Sequence, residues 1–371
     1  MKVMSETNLV KIIKQSKIFT RVKRHWLTLA FVFGFIVDNL TLNRVDQVLD
    51  NVILLTQVIL AMGSMLVLYA AIAEKFPEKW CAPLRRYAPL VTQYAFGGLL
   101  SGMLIFYGRS GSWTDSWFFL LVIMAMIYFN ETIKDRSSRL VFNLGTFFVA
   151  LFSYVVLVIP VFTGWMGSLV FVGSGVVALI IMAIFVKALS LLIPRFMTIH
   201  MRMVMFTIGS IFVSLNFLYF TNIIPPIPLS LKDVGIYHSV VRFDNGDYQL
   251  KYEKGAWWQF WHNSDSTFHT KSGGSIFCFA KVFAPTRLST DIYHRWQYYD
   301  EEAGKWVDKS RLHYPISGGR GDGYRGYTLI ENARDGKWRC VVETERGQVL
   351  GRESFKVDST QSIKELITRI E

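Results

Sequence analysis

Seven long apolar stretches fill residues 26 to 223, at roughly 26–42, 52–74, 88–107, 115–130, 140–162, 166–193 and 203–223. A helix needs about 20 residues to cross the ~30 Å hydrocarbon core of a bilayer, and these runs are close to that length. Backbone polar groups find no partner in lipid, so runs of this kind are expected to be helices. Soluble cores do not repeat such runs in succession, which makes a bundle of seven transmembrane helices the expected fold of this half.

The basic residues between the runs set the expected orientation. Lys2, Lys11, Lys14, Lys17, Arg21, Lys23 and Arg24 precede the first span. Lys75, Lys79, Arg85 and Arg86 lie in the second loop, Lys134, Arg136 and Arg139 in the fourth, and Lys187, Arg195 and Arg202 in the sixth. The alternate loops hold only Arg44 and Arg109. Short loops rich in Lys and Arg stay in the cytoplasm. The N terminus is therefore expected inside, and everything after residue 223 outside. Residues 1–25 read as a cytoplasmic basic segment, with Leu9, Ile12, Ile13 and Phe19 near one helical face, suited either to the inner leaflet or to a solvated tail. The first apolar run begins at residue 26 without a small-residue cleavage site, so it is expected to act as the targeting signal.

The same count explains the net charge of +12. The first 225 residues hold 19 Lys and Arg against 9 Asp and Glu, while the remainder holds 21 against 19. Basicity is thus a topology signal and not the footprint of a nucleic-acid binder, so no nucleic-acid partner is expected. Few polar residues enter the spans. Asp38 and Asn39 lie near the outer end of the first, and Arg109 follows the third. An intramembrane ionisable group is a functional candidate, but Asp38 sits about one turn from the interface, where local pairing explains it equally well. No ladder of acidic residues runs through the bilayer.

At residues 222–230 the chain reads Asn-Ile-Ile-Pro-Pro-Ile-Pro-Leu-Ser. The prolines stop the last helix and mark residues 224–232 as a short, stiff linker. Residues 233–371 then read as strands. Val240–Phe243 and Tyr248–Tyr252 flank Asp244-Asn245-Gly246-Asp247, a strong hairpin signal. Further strands are expected at 275–283, 291–299, 305–314, 325–331, 337–345 and 348–357. Short aromatic and β-branched runs separated by turn residues point to an all-β, Ig-like antiparallel sandwich with Trp296, Trp306 and Trp338 in its core. Ile363, Leu366, Ile367 and Ile370 share one helical face, so a short C-terminal helix is expected. Cys81 is expected as a free thiol. Cys278 and Cys340 both fall in strands, and an oxidising compartment permits a disulfide between them, two buried thiols being the alternative.

Within 276–357 stand Val282-Phe283-Ala284-Pro285, His294-Arg295-Trp296-Gln297-Tyr298-Tyr299, Gly318-Gly319-Arg320, Gly323-Tyr324-Arg325-Gly326-Tyr327, Gly336-Lys337-Trp338-Arg339, and Gly347-Gln348-Val349-Leu350-Gly351-Arg352 before Phe355. This pattern, with the run from Gly34 to Leu42, resembles the bacterial membrane-protein family catalogued as domain of unknown function 2914. The resemblance implies a bacterial envelope protein with a C-terminal β domain. It implies no activity, so no catalytic residue carries over.

Two segments stand out as binding candidates. In Ser317–Tyr327 five glycines allow close backbone approach, Arg320 and Arg325 suit a carboxylate or phosphate, and Tyr324 and Tyr327 suit a sugar face. A glycine-rich turn with arginines over aromatics is the plainer reading. Trp257, Trp258 and Trp261 crowd one short run, and alternation lets a strand face bury only some of them. They suit a membrane-interface belt, a glycan platform or simple packing. The five histidines after residue 223, His238, His262, His269, His294 and His313, show no metal-ligand spacing, and no nucleophile motif is present. No metal, no cofactor and no catalytic set is expected. The leading expectation is a non-catalytic protein of the bacterial inner membrane whose periplasmic β domain binds an envelope component: an anionic glycan, a lipid head group or a protein partner. A transporter or lipid-handling bundle with the β domain as an outer lid is the alternative, and a periplasmic sensor working through a cytoplasmic partner is the third.

Overall fold

The computed structural model describes residues 36, 38–42, 44–111, 113–132, 139–254, 264–270 and 274–371. The segment 1–25, most of the first expected span, and Trp257, Trp258, Trp261 and His262 lie outside the described residues. Among the described residues after 47 stand six helices: α1 (Val48–Ile72), α2 (Glu78–Ser110), α3 (Trp113–Thr132), α4 (Arg139–Thr163), α5 (Ser168–Leu192) and α6 (Pro194–Phe220). Among the described residues, α1, α2, α4, α5 and α6 are long and apolar enough to cross a membrane. In α4, 89% of the most apolar window is buried, against 22% in α6, so α4 is the enclosed helix and α6 a peripheral one. The expected sixth loop is absent: only Ile193 separates α5 from α6, so Lys187, Arg195 and Arg202 sit within helices. Pro194 explains how the chain restarts so abruptly, because proline is tolerated at a first helical position where its missing N–H is not needed.

The chain divides into two compact units. One takes residues 1–105, 123–150 and 183–205; the other takes 106–122, 151–182 and 206–371. In the first, Phe147 packs against Phe96 and Phe185, and the Ser64 and Thr92 hydroxyls bond at 2.8 Å. Gly98 lies against the Gln57 side chain and Gly102 against Leu54, so the small pair serves close helix packing.

The second unit joins helix ends to the β region. Two residues beyond α6, Asn222 is held at φ 60°, a left-handed conformation that asparagine tolerates better than most residues. Its side-chain amide donates to the Arg346 carbonyl at 3.1 Å. The Arg346 guanidinium lies 4.2 Å above the Tyr219 ring and donates to Ser168 Oγ at 3.0 Å. Gln348 donates to the Ile224 carbonyl. Gly164, at φ 74°, ends α4, and a Cβ there would fall 2.4 Å from the Arg287 carbonyl oxygen. Glycine is thus required twice, by the turn and by the approach of a second chain segment.

Among the described residues, eleven strands form three sheets. They are β1 (Ser230–Tyr237), β2 (Ser239–Arg242), β3 (Tyr248–Glu253), β4 (Thr267–His269), β5 (Ser275–Phe283), β6 (Ser289–Asp300), β7 (Lys305–Ser317), β8 (Tyr324–Glu331), β9 (Gly336–Thr344), β10 (Val349–Asp358) and β11 (Leu366–Ile370). The orders are β1-β5-β8, β4-β10-β9-β6-β7 and β11-β3-β2. All pairings are antiparallel except β4 with β10.

Alternation along β5 explains the layering. Ile276, Cys278, Ala280 and Val282 face the five-stranded sheet, meeting Ile292, Trp296, Cys340 and Val342 in the core. Phe277 and Phe279 face the other way and pack with Tyr237 of β1 and with Val240, Tyr248 and Leu250 of the third sheet. Cys278 and Cys340 are joined by a disulfide that ties two sheets together. Trp296, fully buried, shares their cluster, and truncating such a side chain typically costs 3–5 kcal/mol. Trp338 is also core, but Trp306 is not: it stands on the outer face of the five-stranded sheet under Arg339, 4.2 Å from the guanidinium. The register explains this, since Trp306 pairs with Tyr299 on the face opposite the inward Trp296.

The C-terminal helix expected from spacing is a strand instead. Residues Leu366–Ile370 pair with β3, and the Glu371 and Tyr248 backbones exchange both hydrogen bonds. Ile363, Leu366 and Ile370, the supposed buried face, are at least 40% exposed. The pattern fits either period over so short a span, and an available strand edge with β-branched Ile and Thr residues decides in favour of the sheet.

Candidate functional site

The loop between β7 and β8 is sewn to its own chain. Gly318 N–H donates to the Leu288 carbonyl, Gly319 N–H to Ala284, and Gly323 N–H to Arg320. A Cβ on Gly318 would fall 1.6 Å from the Pro285 carbonyl oxygen, and one on Gly326 would fall 2.1 Å from the half-buried Tyr314 ring. These glycines serve packing against protein, the plainer of the two readings of this loop.

What the loop presents is a different matter. Arg320 lies 5.6 Å from the Tyr324 ring centre. Arg325 points back to Asp247 at 3.8 Å, and its Nε is buried without a hydrogen-bond partner. Tyr327 packs on Phe277 and on Tyr248, whose hydroxyl donates to the Arg325 carbonyl. Arg242, from β2, lies 5.9 Å from the Tyr248 ring. Burial raises the Tyr248 hydroxyl above the usual phenol range, while Arg242 and Arg320 pull it down. Three arginines and three tyrosines thus meet on one patch. Arg320, Tyr324, Arg325 and Tyr327 are visible in the sequence as one loop. Arg242 and Tyr248 join them only through the hairpin sheet, and a basic residue beside an Asn-Gly turn is the one signal the sequence offers.

A second charged surface covers the outer face of the five-stranded sheet. Buried Glu343 accepts from Arg295 Nε at 2.9 Å and Arg311 Nε at 2.8 Å. Arg311 stacks on Tyr293 at 4.1 Å, and Lys337 lies 5.5 Å from Tyr299. Its cations are already engaged by glutamate and rings, so this face reads as a stabilising ladder.

Two buried polar clusters escaped the sequence. His294, fully buried beside the disulfide, has Thr328 Oγ1 at 3.0 Å and Tyr314 Oη at 3.1 Å, and Trp296 Nε1 donates to the same Thr328. Burial lowers the His294 imidazole to about 3, so it is neutral. His294, Cys278 and Cys340 gather three donor atoms, the one such group among the described residues, but the disulfide takes both sulfurs. The second cluster centres on Glu253. His269 Nδ1 donates to its Oε2 at 2.6 Å and His238 Nε2 to its Oε1 at 2.9 Å. Glu253 N–H in turn donates to Asp265 Oδ1 at 2.7 Å.

Among the helices, Asp38 is half-buried and Asn39 exposed, and Arg109 lies in the last turn of α2. A cavity of ≈ 20 Å³ lined by Pro160, Phe171, Tyr219, Pro225 and Gln348 has room for about one water.

Taken together, these elements define a chain with several helices apolar enough for a bilayer, followed by a β-rich region. The resemblance to the family noted above holds on residues 289–357, which match the family described as Protein of unknown function (DUF2914). The match begins at the first residue of β6 and ends one residue short of the end of β10. No curated protein matches the chain. Among solved structures, the chain is similar to Pseudomonas fluorescens alkylpurine DNA glycosylase AlkC bound to DNA containing an abasic site analog, at 10% identity over 91% of this chain and 82% of that one, with a TM-score of 0.19. At that score the likeness carries neither fold nor function across.

Proposed function

We propose that this is a multi-span protein of the bacterial inner membrane, N terminus in the cytoplasm, whose periplasmic Ig-like domain binds an anionic envelope component without chemical conversion. The convergence of Arg242, Arg320 and Arg325 on Tyr248, Tyr324 and Tyr327 carries the reading. Guanidinium groups donate in planar pairs that suit carboxylate or phosphate, and tyrosine rings suit a sugar face.

Membrane insertion is supported by apolar side chains that face outward from the helices. Val48 is 79% exposed, Leu169 90%, and Ile199 and Phe206 77%. In water each would forgo roughly 2 kcal/mol of burial, and together they exceed what a soluble surface tolerates. The Ig-like reading is supported by the strand orders, by a disulfide linking the two main sheets, and by Trp296 packed beside it. The periplasmic side is supported by the basic residues of the alternate loops and by the disulfide itself.

The test uses the full chain in detergent, with an acidic polysaccharide and phosphatidylglycerol vesicles as probes. Arg242→Ala, Arg320→Ala and Arg325→Ala together are expected to weaken binding at least tenfold, since each charge-assisted hydrogen bond is worth about 1.5–3 kcal/mol. Binding equal to wild type sinks the patch as the ligand seat.

A further inference from the structure

The Glu253 cluster lies at one end of the β2–β3 hairpin, and the ligand patch lies at the other. His238 immediately precedes β2 and Glu253 is the last residue of β3. Arg242 ends β2, Asp247 immediately precedes β3, and Tyr248 opens it. Anything that seats the first end also positions the second.

The cluster has an unusual composition for its burial. The side chains of His238, Glu253, His269 and Asp265 are 9%, 4%, 2% and 1% exposed. Glu253 is saturated: two imidazoles and the His269 N–H donate to it. Asp265 is not. Its Oδ1 accepts the Glu253 N–H, but Oδ2 is buried without a hydrogen-bond partner, 3.6 Å from His238 Nε2. A buried carboxylate oxygen so placed is costly when charged and tolerable when protonated.

We propose that His238, Glu253, Asp265 and His269 form a proton-controlled fastener that seats the β2–β3 hairpin and thereby completes the arginine–tyrosine patch. The inference rests on the reading of that patch as a ligand seat. With a proton on Asp265 the cluster holds one negative charge, on Glu253, between two imidazoles. Loss of the proton places a second buried negative charge beside the first, and the end of the hairpin loosens. The rest of the hairpin is held by apolar contacts of Val240, Tyr248 and Leu250 with Tyr237 of β1 and Phe279 of β5, which do not titrate near neutral pH.

The groups facing Asp265 agree with this sense. Glu253 of β3 opposes its ionisation, Lys364 ahead of β11 favours it, and the Glu253 N–H favours it as well. His238 is kept neutral chiefly by burial, against the pull of Glu253, and His269 adds to its lowering. From β10, Glu353 accepts from Ser264, the residue before Asp265. Burial is the largest influence, and it pushes the Asp265 carboxyl up to about 8. A carboxyl whose folded value is raised stabilises the fold fully at low pH and loses that contribution as pH rises through the folded value. The window therefore closes near pH 8.

The test follows backbone amide exchange in full-length protein in detergent from pH 6 to 9.5, corrected for intrinsic rates, with vesicle binding measured alongside. Protection across residues 239–253 is expected to fall at least tenfold between pH 6 and 8 and to level off above that, while β9 and β10 stay protected. Asp265→Asn, which keeps the acceptor and cannot ionise, is expected to abolish the step. Flat protection in wild type overturns the fastener, and needs no variant to be seen. So does an unchanged step in Asp265→Asn. Vesicle binding is expected to weaken over the same interval; binding that ignores pH while exchange steps overturns the link between the two ends. A wild type that binds neither probe at any pH refutes the patch and leaves the exchange result to judge the fastener alone.

Discussion

Replacing both Cys278 and Cys340 by alanine isolates the contribution of the cross-link between the two sheets. The bridged residues are 62 positions apart. Closing a loop of that length removes about 4 kcal/mol of conformational freedom from the unfolded chain in the entropic account of disulfides. Both sulfurs are fully buried with Trp296 and Phe355, so the alanines also leave small voids, each costing on the order of 1 kcal/mol. The β region should thus lose about 6 kcal/mol. For a domain of ~140 residues, roughly 4 °C per kcal/mol predicts a drop of about 24 °C in its melting midpoint. Thermal denaturation of the full chain in detergent reads this, followed by near-ultraviolet circular dichroism of the aromatic-rich β region. Helical signal in the far ultraviolet serves as the internal reference. A shift below about 4 °C, with the near-ultraviolet signal intact, refutes the reasoning, because it means the two sheets are held together without the bond.

Two further outcomes follow from buried groups. His294 is held neutral at about 3 by burial, against an ordinary 6.5, so the unfolded chain binds the extra proton between those values and stability rises with pH across the window. At pH 5 the β region should be about 2 kcal/mol less stable than at pH 6.5, and His294→Gln should remove that slope in denaturant titrations; an equally steep slope in the variant argues against it. Gly326→Ala forces a methyl group against the Tyr314 ring, which is already bonded to His294. About 2 kcal/mol of stability should be lost, and a variant that melts with wild type shows the ring has room to move.

How far these features can be read from the sequence depends on how local they are. Long apolar runs and an Asn-Gly turn are local, and α1, α4 and the β2–β3 hairpin stand close to where the residues place them. The four loop residues that carry the patch, Arg320, Tyr324, Arg325 and Tyr327, are local too, while Arg242 and Tyr248 are not. The Glu253 cluster is not local: its four side chains come from four segments, and each alone looks like an unremarkable polar residue in a strand or turn. Trp306 misleads because a tryptophan in a strand is expected inside, while the pleat places it outside and Arg339 covers it. Leu366–Ile370 misleads because five residues satisfy helical and strand spacing at once, and only a neighbouring edge breaks the tie. The basic residues near Ile193 mark an end of two helices without marking a loop, since charge reports position and not chain path.

The Arg346 contact has a mechanical consequence. A guanidinium resting on Tyr219, bonded to Ser168 at the start of α5, and backed by Asn222 just beyond α6 leaves little slack in the joint. A pull on the β9–β10 turn therefore bears on the first residue of α5 and the last turn of α6 through side chains, in parallel with the proline segment that joins α6 to the β region along the chain.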